Sequence, residues 1–191
     1  NTSSIGAISF AANVDIGTGS FPASVCMGDL DGDGKPDLAV ANNGSDDVSV
    51  LRNTSTSGTI SFATKVDFAS GSFPRSVAIS DLDGDGKSDL AVANIGSNTV
   101  SLFHNTSSIG TVSFAARVDK TTGTSPISVA IGDLDGDGKS ELAVANNGGK
   151  SVSLFKNNSS SGTFTIANKV DSATGTSPYS VAISDLDVDG K

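Results

Sequence analysis

Four short runs of alternating acids carry the most chemistry in this chain: DLDGDGKPD at residues 29–37, DLDGDGKSD at 81–89, DLDGDGKSE at 133–141 and DLDVDGK at 185–191. Carboxylates at positions 1, 3 and 5 of a tight turn share its inner side. Ca²⁺ takes six to eight hard oxygens in a flexible cage, which such a turn supplies. The predicted ligands of the first loop are Asp29, Asp31 and Asp33, with Asp37 at position 9 closing the cage. Their equivalents are Asp81, Asp83, Asp85 and Asp89, then Asp133, Asp135, Asp137 and Glu141, then Asp185, Asp187 and Asp189. Glycine at position 6 permits the sharp reversal. The position-7 carbonyl of Lys35, Lys87 or Lys139 then turns inward while the side chain stays in water. Mg²⁺ fits less well, because it prefers few carboxylates and several retained waters.

Two other kinds of loop share part of this pattern. An EF-hand opens in the same way but needs a bidentate Glu at position 12 and flanking helices. Position 12 here is Val40, Val92 or Val144, inside runs of β-formers. Asp-Gly clusters also make turns without any ion. Three complete copies, each holding four acids in one small loop, favour the cation cage. The fourth loop departs from the others, with Val188 in place of the position-4 glycine.

The elements that must position these loops recur with them, because the loops start 52 residues apart and the repeat units open at Asn1, Asn53, Asn105 and Asn157. The second and third units are identical at 34 of 52 positions, the mark of a duplicated module. Each unit opens with a Ser/Thr/Gly-rich segment that predicts a surface loop. In the second unit Ile60, Phe62 and Thr64 then alternate with Ser61 and Ala63, which predicts a half-buried strand ending near Asp67. A glycine-containing loop leads to Pro74, whose counterparts are Pro22, Pro126 and Pro178. A strand over 76–80 delivers the chain to the acidic loop. The next strand, 90–94, has Leu90 and Val92 on one face and Ala91 and Ala93 on the other, so its small face predicts close packing on a neighbouring sheet. A Gly/Asn turn at 95–98 leads to a third strand over 100–103, and the strand opening the following unit completes four.

Each module is therefore expected to be a four-stranded antiparallel meander with the calcium loop between its first two strands. Such a sheet has two apolar faces and must stack on its copies. A period near 50 with four strands is that of a β-propeller blade. The expected architecture is all-β, built of tandem blades. Residues 1–21 would hold the last strand of a preceding blade, around 8–15. Residues 22–73, 74–125 and 126–177 would each be a blade with a calcium loop, and 178–191 would start a further one.

The run Pro74-Arg75-Ser76-Val77-Ala78, followed by DLDGDGKSDLAVAN, resembles the FG-GAP/VCBS repeat of integrin α-subunit propellers and of many secreted bacterial proteins. The resemblance covers essentially the whole chain. It implies Ca²⁺ held between the first two strands of each blade by the acids named above, with Glu141 in place of the usual Asp. The Phe-Gly pair that gives the family half its name is weak here: Phe21 and Phe73 precede proline, and Ser125 and Ser177 replace them in later units.

Charge agrees with ligand duty. Of the 21 acids, 15 lie in the four loops, and four bound Ca²⁺ would bring the net charge of −9 to −1. The 12 Lys and Arg form no basic stripe, so nucleic acid is not an expected partner. No apolar run is long enough to span a membrane. Cys26, whose register equivalents are Ala78, Ala130 and Ala182, reads as a buried structural thiol, with no second cysteine to pair with. His104, the single histidine, shares a register with Arg52 and Lys156 and reads as a surface strand end. Arg75 and Tyr179 share the position after the proline and read as variable exposed residues.

Sequons recur at the start of each unit, on Asn1, Asn53, Asn105 and Asn157, with further ones on Asn158 and Asn43; the first five are candidate glycosylation sites on an outer turn. The features together predict a non-catalytic, extracellular, calcium-binding repeat module serving structure, adhesion or assembly within a larger propeller or array. Two alternatives are a structural subunit of a glycosylated filament and a substrate-binding part of a secreted polysaccharide-active enzyme. Expected partners are further blades of the same chain or other copies joined head to tail, and glycans or cell-surface proteins.

Overall fold

The tract that follows each acidic loop forms the second strand of a sheet, because its β-branched and small apolar residues fill both faces of a strand buried between neighbours. The computed structural model describes residues 5–7 and 12–185. Its strands are β1 (Pro22–Gly28), β2 (Asp37–Asn42), β3 (Asp47–Leu51) and β4 (Val66–Ala69) in the first sheet. The second holds β5 (Pro74–Ser80), β6 (Asp89–Asn94), β7 (Thr99–Phe103) and β8 (Val118–Thr121). The third holds β9 (Pro126–Gly132), β10 (Glu141–Asn146), β11 (Ser151–Phe155) and β12 (Val170–Ala173). Each sheet is an antiparallel meander in chain order, as expected, and no helix occurs among the described residues.

Period-2 alternation sets the stacking. In the first sheet Ala39 lies opposite Val50 and Ala41 opposite Val48, giving one shallow apolar face. That face packs on Leu90, Val92, Val77 and Phe103 of the second sheet. The contact repeats one blade on, where Ala91, Ala93, Val100 and Leu102 meet Val129, Leu142, Val144 and Phe155. Alanine lets the backbones approach, and the larger residues of the facing sheet fill the gap. The first strands also meet across blades: Val77 N–H donates to Ser24 Oγ at 3.4 Å and Val129 N–H to Ser76 Oγ at 3.2 Å. Residues 178–185 follow the same course beside β9, with Val181 N–H donating to Ser128 Oγ at 3.2 Å.

Four local expectations change. Residues 60–64 alternate like a strand, but they pair with their own unit's opening segment. Asn53 bridges Phe62, Thr56 bridges Thr59, and the N–H of Ala63 returns to Arg52 O at 2.8 Å. The Ser/Thr-rich opening is thus one arm of a small hairpin, repeated at 105–114 and 157–166. The fourth strand starts only at Val66, so Asp67 sits inside β4 rather than at its end. In the segment expected to close a preceding blade, residues 12–15 form no strand, and residues 8–11 lie outside the described residues. Cys26 is half-buried against the first interblade cluster rather than fully enclosed.

Candidate metal centres

Each of the first three acidic loops is wound around its own carboxylates. In the first, both oxygens of Asp29 face backbone N–H groups: Oδ1 accepts from Gly32 at 2.7 Å and Oδ2 from Gly34 at 2.8 Å. Asp31 Oδ1 accepts from Asp33 N–H at 3.1 Å, and Asp33 Oδ1 from Lys35 N–H at 2.9 Å. Lys35, Lys87 and Lys139 all sit at this closing end, donating N–H to Asp33, Asp85 and Asp137. Both glycines are required by conformation, since Gly32 and Gly34 have φ of +76° and +85° while a Cβ on either would meet nothing. Sequence spacing pointed to position 6 alone; position 4 is under the same constraint.

The position-9 acid ties the loop to the sheet. Asp37 Oδ2 accepts Leu30 N–H at 3.0 Å and its Oδ1 accepts Asn53 N–H at 2.7 Å. Asp89 does the same with Leu82 and Asn105, and Glu141 with Leu134 and Asn157. Burial pushes the Asp37 carboxyl above the usual carboxylate range, with Asp31 and Asp33 adding to the effect, against the two N–H bonds. Burial likewise pushes Asp89 up to about 6, with Asp83 adding and the N–H groups of Asn105 and Leu82 opposing.

Three groupings bring one oxygen from each acid within 4.8 Å: Asp29, Asp31 and Asp33; Asp81, Asp83 and Asp89; Asp133, Asp135 and Glu141. A hard cation fits them on the chemistry of the donors, which are carboxylates converging in a small loop. Asp83 adds a stronger sign: it is 3% exposed, and its Oδ2 accepts no hydrogen bond. Asp31 is equally enclosed, and Gly110 of the next blade's hairpin donates N–H to its Oδ2 at 3.0 Å. The hairpins at 105–114 and 157–166 each lie over the acidic loop of the blade before. Between them lie cavities of about 280 Å³, lined by Asp29, Asp31, Lys87 and Ile109, and of about 320 Å³, lined by Asp81, Asp83, Lys139 and Ser160. Of the fourth loop, Asp185 is exposed, and Asp187 and Asp189 lie outside the described residues.

The position shared by Arg52, His104 and Lys156 belongs to the loops. Arg52 Nε is 3.7 Å from Asp31 Oδ2, His104 Nε2 is 3.0 Å from Asp83 Oδ2, and the Lys156 ammonium contacts Asp135. That last contact holds the Asp135 carboxyl low and the Lys156 amine high. The reading of His104 as a surface strand end is corrected: it ends the strand, but it faces the acids. Three basic side chains at one register were the available signal.

The sequon asparagines divide. Asn105 and Asn157 are each 1% exposed. Asn105 Nδ2 donates to Leu30 O at 3.0 Å and Ser88 O at 2.7 Å; Asn157 Nδ2 donates to Leu82 O and Ser140 O. Both amide hydrogens are used and the side chain is enclosed, so this fold has no room for a glycan at either residue. These are two of the five candidate positions. Asn53 is half-buried, with Nδ2 donating to Pro36 O at 2.9 Å, and Asn158 is exposed. Asn1 lies outside the described residues.

Two polar arrangements escaped sequence reasoning. A chain of polar groups crosses each sheet from a buried Asn and Ser to an exposed Asp: from Asn42 through Ser49 to Asp67, from Asn94 through Ser101 to Asp119, and from Asn146 through Ser153 to Asp171. Burial opposes ionisation of Asp67, but Lys65 and the Ser49 hydroxyl more than offset it and hold its pKa below the usual value. Arg75 and Tyr179 do meet, Nη2 to Oη at 3.3 Å, on an open groove that also exposes Phe73 and Ile127.

Tandem four-stranded meanders, each with an acidic loop between its first two strands, define an all-β protein of propeller-type blades. The chain belongs to the FG-GAP-like repeat family, whose repeat matches it four times, over residues 3–40, 29–92, 81–144 and 133–191. Among curated proteins none matches it.

Proposed function

We propose that this chain is a non-catalytic extracellular repeat module whose acidic loops bind Ca²⁺ and thereby stiffen the blades for structure, adhesion or assembly. The observation that carries the reading is the repetition: carboxylates converge in three consecutive loops, from positions 1, 3 and 5 in the first and from 1, 3 and 9 in the second and third, and each loop is tied to its sheet by a buried position-9 acid. Bound Ca²⁺ would supply the positive charge that offsets repulsion among these acids. The chain's own part is to hold the oxygens inward with backbone N–H groups and to cover the loop with the next blade's hairpin. Millimolar extracellular Ca²⁺ keeps loops of this kind filled.

Blade-on-blade stacking is the mode of association proposed for partners, whether further blades of a longer chain or other copies joined head to tail. The contact between the segments that lead into successive acidic loops repeats at three successive steps, which favours a regular array. Glycans or cell-surface proteins are the proposed ligands of such a module.

Calcium titration of the metal-stripped chain tests the reading. At least three equivalents are expected, with a melting temperature that falls in EDTA and is restored by Ca²⁺ and not by equimolar Mg²⁺. A site at ~100-fold excess over Kd stabilises by roughly 2.7 kcal/mol. A melt unchanged by EDTA, with no calcium uptake, would overturn it.

A further inference from the structure

The middle loop differs from its neighbours in the chemistry of one side chain. At the end of the third strand, Arg52 and Lys156 present cations to the first and third loops, and neither has a lone pair to give. His104 occupies that place in the second. Its Nε2 is 3.0 Å from Asp83 Oδ2 and 3.9 Å from Asp85 Oδ2. The pair stands at ion-pair distance, yet Asp83 Oδ2 and His104 Nε2 are both buried without a hydrogen-bond partner. The Asp83 side chain has no exposed surface. Phe164, from the hairpin of the following blade, stacks on the imidazole with ring centroids 5.8 Å apart and planes 24° apart, which fixes the ring. Two buried polar atoms that face each other unbonded are costly, unless a third group binds both.

We propose that the second loop is a mixed nitrogen–oxygen site for a borderline divalent transition cation of the Zn²⁺ class, held by His104 Nε2, Asp83 and Asp85. One atom from each residue lies within 4.8 Å of the others. Ligand distances of about 2.0–2.2 Å around Zn²⁺ put ligand atoms roughly 3–4 Å apart, and the two distances from Nε2 already fall in that range. Imidazole suits Zn²⁺, Ni²⁺ and Cu²⁺, whereas Ca²⁺ takes oxygen. Because Asp83 also belongs to the oxygen-only grouping with Asp81 and Asp89, the two kinds of cation compete for this loop. The first and third loops lack the nitrogen ligand. The inference rests on the reading of the loop as a cation site but not on calcium being the cation of the other two.

His104 is the only histidine, so imidazole signals report this site alone. The metal-stripped full chain is titrated with ZnCl₂, and with CoCl₂ as a visible-absorption probe, alongside the variants His104→Gln and His104→Lys. One equivalent of Zn²⁺ is expected to bind at least ten-fold more tightly to the wild type than to either variant, with a shift of the His104 ¹⁵Nε2 resonance. Equal affinity in the variants, an unmoved imidazole resonance, or no Zn²⁺ uptake by the wild type would each overturn the proposal. The resonance is read on the wild type, so a variant that fails to fold leaves the test intact. Calcium uptake by the wild type is measured separately: its absence together with Zn²⁺ binding at His104 would remove the calcium reading and leave this one standing.

Discussion

Asn105 reaches across the blade boundary to Leu30, its Nδ2 donating to the Leu30 carbonyl at 3.0 Å, and Asn157 repeats the contact with Leu82 at 2.7 Å. Leu30 and Leu82 are the second residues of their acidic loops, so one side chain fastens each loop to the following blade. Replacing Asn105 with Ala leaves the buried Leu30 carbonyl and the half-buried Ser88 carbonyl without these donors. A loss of about 2–4 kcal/mol is expected from urea denaturation, against less than about 0.5 kcal/mol for Asn158→Ala at an exposed site.

The same burial divides the sequons. Expressed in a glycosylating host, the folded protein is expected to carry sugar at Asn158 and none at Asn105 or Asn157. Peptide mapping after enzymatic deglycosylation reads this directly, and glycan on Asn105 in natively folded material would contradict the structure.

Asp85 and Asp67 separate cation binding from sheet stability. Asp85 bonds only the nearby Lys87 N–H within its loop, whereas Asp67 accepts the Ser49 hydroxyl at 2.6 Å inside the sheet. Asp85→Ala is expected to remove one equivalent of calcium while moving the metal-free melt little. Asp67→Ala is expected to lower the metal-free stability by about 1–2 kcal/mol, with calcium stoichiometry unchanged. Calorimetric titration and a melt in EDTA give the two readouts.

Protons should compete with the cation at Asp89, whose carboxyl burial pushes up to about 6 in the metal-free chain. The folded pKa lies above the unfolded value of 3.8. The contribution of this group to metal-free stability is therefore present below pH 3.8 and lost as pH rises through about 6. Cation binding requires the carboxylate, so affinity at this loop should run the opposite way. It should fall about ten-fold per pH unit below pH 6, with one proton released per cation bound. Titrations at pH 5 and 7, in buffers of different ionisation heat, count that proton, and Asp89→Asn should abolish the release at this loop.

The unit of 52 residues, the strand tracts, the acidic loops and the alternation of Leu90 and Val92 with Ala91 and Ala93 were all legible in the chain. They depend on short-range rules: a strand shows its faces with period 2, and a turn shows its glycines and acids in order. Residues 60–64 also obey period 2, yet they pair with their own unit's opening arm, because alternation reveals that a segment is extended and not which partner it finds. What the tertiary structure decided are the meetings between distant residues. Asn105 and Leu30 are 75 positions apart, and Phe164 reaches His104 from the next blade. Such meetings follow from the offset at which one blade stacks on another, which Ala39 and Ala41 set by letting Leu90 and Val92 approach. That offset turns a sequon into a fastener and a lone histidine into a neighbour of two carboxylates, and no local pattern in the chain encodes it.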